Sequence, residues 1–171
     1  MRELKARCAP WKERLKTEVS AVGEAVGEAN LHLRHQSTEQ ASLLADWEGT
    51  TLAVVPVPIT TLDTAIKTYG RPDFCKIDVE GYEYHVLQGL SQPIPLLSLE
   101  YHVRERELTT IDTCLKHLSK FGSLSLNTLP ADADTWAFSE WLPYQEIQDR
   151  VLQVLTESSK SEYGDLFVRM A

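Results

Sequence analysis

Two short runs of this sequence carry the groups best suited to proton chemistry. The first, Lys76-Ile77-Asp78-Val79-Glu80-Gly81, ends in two acids and a glycine, and the second, Ile94 to Tyr101, delivers Glu100 and then His102. If these runs are neighbouring strands of an open α/β sheet, Asp78, Glu80, Glu100 and His102 converge beyond their carboxyl ends, where loops diverge and helix N-termini present free N–H groups. Such a cluster suits proton removal, because crowded charge and partial burial raise a carboxylate toward neutrality and histidine already titrates there. The same oxygen and nitrogen donors would suit Mg, Mn or Zn in a hydrolase or a metal-assisted transferase, although no metal is assigned to them. A plainer use stands first on pattern alone. Asp78 would cap the following helix, Glu80 would pair with Lys76 or an arginine, and His102 would be a satisfied histidine.

The elements that must position these residues can be read from periodicity. Val19 to Val22 and Ala29 to Leu33 read as two strands around a turn containing Gly23 and Gly27. Ser37 and Gln40 have capping-box spacing ahead of Leu43, Leu44 and Trp47, which predicts a short helix. Thr51 to Ile59 is rich in Val and Thr, but Pro56 and Pro58 cannot donate to a central ladder, so it is expected at an edge or in a loop-like strand. Thr60 and Asp63 are expected to cap a helix that runs through Tyr69 and stops at Gly70. A strand at 73–79 then leads through Glu80-Gly81 into a helix with Val86, Leu87 and Leu90 on one face. The strand from Ile94 precedes a helix built on Leu108, Ile111, Leu115 and Leu118. Ser123 to Leu129 reads as a strand, a helix follows from about Pro143, and Asp165 to Met170 reads as the last strand. The alternation implies an α/β layer fold around a mainly parallel sheet.

Bulk properties narrow the partners. At 171 residues, 43% hydrophobic and 25% charged, the chain has the size of one domain with a sizeable core. A net charge of -8 opposes nucleic-acid binding. The charged start, Met1 to Lys16, does not read as a signal peptide, and no membrane span is expected from apolar runs broken by Pro56, Pro58, Pro93 and Pro95. Cys8, Cys75 and Cys114 are odd in number and lack metal-ligand spacing, as expected of thiols in a reducing cytoplasm. Cys75 and Cys114 read as small buried residues rather than nucleophiles. Trp136, Phe138 and Trp141 lie in an insertion-like stretch expected to serve packing or a local lid before a sugar site or a partner groove.

The run Lys76-Ile77-Asp78-Val79-Glu80-Gly81-Tyr82-Glu83-Tyr84-His85-Val86-Leu87-Gln88-Gly89-Leu90 resembles the signature strand and helix of FkbM-type methyltransferases. Flanking pieces are similar in the same order: Ala21-Val22-Gly23 with Gly27, Thr61-Leu62-Asp63, Pro72-Asp73, Leu99-Glu100 and Gly164-Asp165-Leu166-Phe167. The resemblance implies a class I, Rossmann-like methyltransferase sheet with an antiparallel last strand. It implies transfer of a methyl group from S-adenosylmethionine to a hydroxyl of a sugar or other small metabolite, in which the enzyme aligns the reactants and removes a proton. Asp78 and Gly23 would lie at the cofactor. Asp78, Glu80, Glu100 or His102 would face the acceptor hydroxyl, and which of them is the base stays open. Tyr82, Tyr84 and His85 are expected to pack on a neighbouring strand rather than contact the acceptor.

Relative to that family, the Gly-rich loop after the first strand and the ribose-binding acid after the second should precede Ala21. The chain therefore divides into a charged segment, 1–20, and an incomplete methyltransferase-like α/β domain, 21–171, without the first strands of the fold. The sheet is then expected to have an unpaired edge and an uncovered apolar face, masked by Met1 to Lys16, by a second copy in a homo-oligomer, or by an upstream chain. The alternative to an enzyme is a non-catalytic domain that binds a partner protein or itself through that edge.

Overall fold

A computed structural model describes residues 14–34, 41–47, 49–158 and 162–171. Two sheets organise them. The smaller holds β1 (Ala21–Val22), β2 (Gly27–Arg34) and β3 (Thr51–Thr60) in the order β1-β3-β2. The larger holds β4 (Cys75–Ile77), β5 (Leu96–His102), β6 (Leu124–Pro130), β7 (Leu142–Pro143) and β8 (Tyr163–Met170) in the order β4-β5-β8-β6-β7.

The larger sheet is mixed rather than mainly parallel. Only β4 and β5 pair in parallel, because β8 inserts between β5 and β6 antiparallel to both, and β7 is also antiparallel to β6. The last strand is antiparallel as expected, and its insertion is what removes the β5–β6 parallel pairing.

The core lies on one face of this sheet. Cross-strand neighbours Leu97, Val168 and Leu126, and likewise Leu99, Leu166 and Thr128, point to the same side and are buried. Against them pack α1 (Leu62–Tyr69), α2 (Glu83–Gln88), α3 (Glu105–Leu118) and the late helical turns α4 (Tyr144–Ile147) and α5 (Val151–Ser158), through residues such as Leu87, Leu115, Tyr144 and Leu155. Leu108, Ile111, Leu115 and Leu118 recur at helical spacing and all are buried. Each such leucine contributes about 1.5–3 kcal/mol by leaving water. The expected single helix from Pro143 is interrupted by a 3-10 turn, Gln148–Arg150.

The opposite face stays partly open. Phe74 stacks on Phe167, Trp136 sets its edge on Phe167, and the Arg169 guanidinium lies 3.7 Å from the centre of the Trp141 ring. The late aromatics therefore pack on the sheet. The backbone of Phe138 is fixed by Asn127, whose amide Nδ2 donates to its carbonyl at 2.9 Å.

Several local expectations are corrected. Residues 41–47 form turns and an isolated bridge between Ser42 and His32 rather than a helix, while Ser37 and Gln40 lie outside the described residues. Arg34 accounts for the shape of this loop. Its buried guanidinium donates to the carbonyls of Leu44 and Ala45, offering the backbone partners a helix would not need. The strand 51–60 is central, not peripheral, in the smaller sheet. Its two prolines are tolerated because Thr60 turns its carbonyl toward Gly23 on the β1 side, so Pro58 and Pro56, at alternate positions, face the same edge. β1 pairs that edge only at Ile59 and Thr60, so the missing N–H groups break no ladder. β1 and β2 flank β3 and do not pair with each other. The cap of α1 is Thr61, whose Oγ1 accepts from the Thr64 N–H at 3.0 Å, and Gly70 ends the helix with φ 88°.

Candidate functional site

The turn after β4 makes the site. Glu80 has φ 52° and Gly81 φ 87°, so the chain reverses sharply before α2. Gly81 is required there: a Cβ at this position would lie 2.0 Å from the Trp47 ring. Glu80, unlike glycine, is strained in this conformation, and such strain persists where surrounding contacts hold it. The Ser42 hydroxyl donates to the Glu80 carbonyl at 2.8 Å, and the Trp47 side chain hydrogen-bonds the Glu80 carboxylate.

This turn brings Asp78, Glu80 and Glu100 together, with an oxygen from each lying within 4.8 Å of the other two. His102 completes the edge and lines, with Glu80, Glu100, Trp47 and Glu107, a cleft of about 10 Å³, room for about one water molecule. On the Asp78 side lies a groove of about 410 Å³ walled by Val22, Leu31, Leu43, Val57, Val79 and Tyr82. The cluster thus stands between a narrow polar cleft and a wider apolar groove.

Electrostatics follow from this crowding. Burial, then the Asp78 carboxylate and its hydrogen bond, push Glu100 up to about 7. Burial and Asp78 also raise Glu80. The hydrogen bond to Glu107 raises His102, whose Nδ1 lies 2.6 Å from Glu107 Oε2. Lys76 offsets part of the negative charge, with Nζ 3.5 Å from Asp78 Oδ2 and 2.8 Å from Asp165 Oδ1. Ser98 also donates to Asp165, at 2.9 Å.

The plainer uses of these residues are only partly met. Asp78 does not cap α2; Glu83 reaches back instead to accept from the Gly81 and Val79 N–H groups. Lys76 pairs with Asp78 and Asp165 rather than with Glu80. His102 does have a carboxylate partner in Glu107. Gly23 is buried against Ile59, Tyr82 and Gly89, whose close approach to the Gly23 carbonyl leaves no room for a Cβ on Gly89, while its neighbour Val22 faces the groove. Tyr82 stacks on His85 and its hydroxyl donates to Glu24 at 3.0 Å, while Tyr84 packs edge-on against His117, on α3 rather than a strand. Burial raises both Cys75 and Cys114, which are unpaired and inert in character. Glu107, Trp47 and Asp165 were not singled out by the pattern of the sequence. Glu107 carries the one available signal, an acid in the first turn of the helix that follows His102.

Acids gathered at the carboxyl edge of β4 and β5 lie where open α/β sheets bind their ligands. The family model described as Methyltransferase FkbM domain matches residues 8–118, and the chain belongs to this methyltransferase family. The match ends at Leu118, before β6. No curated protein and no solved structure matches the chain. Among the described residues no helix is long and apolar enough to cross a membrane.

Proposed function

We propose that the chain belongs to an S-adenosylmethionine-dependent O-methyltransferase of the FkbM type, acting on a hydroxyl of a sugar or other small metabolite. The observation that carries this reading is the convergence of Asp78, Glu80 and Glu100 at the strand edge, beside a groove of about 410 Å³. The donor set suits the cofactor's amino-acid end, because Asp78 offers an accepting carboxylate to an ammonium and is reachable from the groove. When bound, the cofactor supplies an electrophilic methyl group. The residues present would hold its ammonium at Asp78 and its apolar parts along Val22, Val57 and Val79, and Gly23 would act through its neighbour. Glu80, Glu100 and His102 would face the acceptor and take its proton. The Rossmann-like arrangement expected of such an enzyme is supported by β8 running antiparallel between β5 and β6. A cytoplasmic location suits the unpaired Cys75 and Cys114. Calorimetric titration with S-adenosylmethionine and S-adenosylhomocysteine tests the reading: binding that Asp78→Ala weakens supports it, and no binding by the chain counts against it.

A second reading rests on a separate observation. β4 pairs only with β5 among the described residues, and Leu52, Val54 and Val55 of β3 are exposed. A non-catalytic domain that self-associates or binds a partner protein would use these surfaces. It predicts an oligomer by sedimentation and no cofactor binding.

A further inference from the structure

We propose that Glu107 is a positioning residue that holds the His102 ring with its proton on Nδ1, so that Nε2 is the base for the acceptor hydroxyl. The inference rests on the methyl-transfer reading and names its base. His102 ends β5 and Glu107 lies in the first turn of α3, so two rigid elements fix the pair. The contact is short, 2.6 Å between Nδ1 and Oε2, and the Glu107 side chain is only 9% exposed. A buried carboxylate accepts the Nδ1 proton, which fixes the tautomer and leaves Nε2 as the ring's lone-pair nitrogen. The other Glu107 oxygen lies 3.7 Å from Arg104 Nη1. That guanidinium helps to hold the carboxylate in place beside the ring. Around the ring stand Glu80 from the turn after β4, Glu100 from β5, Arg104 at the N-cap of α3, Glu107 from its first turn, and Tyr163 from β8, at 5.6 Å between ring centres.

Glu100 is the weaker candidate because the Asp78 and Glu80 carboxylates crowd it, with an oxygen of each within 4.8 Å of one of its own, and no element holds it in one orientation as Glu107 holds His102. His102 Nε2 makes no hydrogen bond among the described residues. As the acceptor oxygen bonds the methyl carbon and the carbon–sulfur bond breaks with its electron pair on sulfur, the hydroxyl proton passes to Nε2 and later to solvent. The Glu107 carboxylate stabilises the imidazolium that forms.

The test is long-range proton–nitrogen NMR of the imidazole rings in the full chain across roughly pH 5 to 9, with His102 identified by the loss of its signals in His102→Gln. Neutral His102 is expected to carry its proton on Nδ1, to titrate lower in Glu107→Gln, and to lose the Nδ1 preference in Glu107→Leu, with Glu107→Asp restoring part of both. Labelling with diethyl pyrocarbonate, read at His102 by mass spectrometry, separates a free Nε2 from a purely structural pair. It is expected to be fast in the wild-type chain above the His102 titration and several-fold slower in Glu107→Leu. A neutral wild-type ring protonated on Nε2, a titration unmoved by Glu107→Gln, or labelling that is absent or unchanged overturns the proposal. If Glu107→Leu does not fold, the wild-type tautomer and the Gln and Asp variants decide. None of these readouts uses the cofactor, so failure of S-adenosylmethionine binding counts against the methyl-transfer reading alone.

Discussion

The Ser42 hydroxyl donates to the backbone carbonyl of Glu80 at 2.8 Å and accepts from the Leu44 N–H at 3.1 Å, so one buried side chain ties the 41–47 loop to the strained turn after β4. Ser42→Ala leaves the Glu80 carbonyl and the Leu44 N–H without these partners, and because both contacts are only partly buried the two losses together cost about 1–3 kcal/mol. Urea denaturation should show a loss in that range, with the slope unchanged. A change near zero would mean that Ser42 does not hold the turn.

Gly81→Ala is expected to be worse. The residue has φ 87°, and the new methyl would meet the Trp47 ring at 2.0 Å, so both the backbone and the ring must move. A left-handed β-carbon costs about 1–2 kcal/mol before the clash is counted. The Trp47 indole signal in NMR should shift or broaden, and the protein should melt earlier than Ser42→Ala.

Stability should fall as pH rises from about 4.5 to about 7 wherever Glu100 is intact. Its folded value lies at about 7 against an ordinary value of 4.5, so the folded state binds the extra proton and loses stability as that proton leaves. His102 acts with the same sign: raised by Glu107, it contributes stability below its unfolded value that is lost as pH rises through its folded one. Urea midpoints measured across this range should decline in the wild-type chain and decline less steeply in Glu100→Gln, where His102 and Glu80 still contribute. A wild-type midpoint that rises over the same window would contradict the assignment.

The two sheets should differ in tolerance. Leu99 is fully buried in the helix-covered face, and Leu99→Ala is expected to cost about 2–5 kcal/mol. Val54 is 48% exposed, and Val54→Thr should change stability by about 0.5 kcal/mol or less. Equal losses in both, read from denaturant midpoints, would mean that the β3 surface is covered in solution.

The convergence of Asp78, Glu80, Glu100 and His102 could be read from the sequence because each lies at the end of a short apolar run, and β4 and β5 are adjacent as the alternation implies. What escaped was long-range. The β8 insertion depends on pairing between residues some seventy positions apart, such as Leu99 with Leu166, and no local pattern reports it. The 41–47 loop looked helical because Ser37, Gln40 and Leu44 have the right spacing, but the buried Arg34 guanidinium claims the Leu44 and Ala45 carbonyls. Pro56 and Pro58 misled because their two-residue spacing, which places both on one unpaired edge, matters more than their number. Glu107 was invisible as a site residue because its meaning depends on how α3 returns over the end of β5.

The most direct measurement of the central claim is an NMR titration of the full chain with S-adenosylhomocysteine, following backbone and methyl signals. Shifts confined to Asp78, Val79, Tyr82 and the groove residues Val22, Leu31, Leu43 and Val57, and weakened in Asp78→Ala, are the predicted result. An unperturbed spectrum, or shifts centred away from the β4 edge, would contradict a cofactor site at Asp78.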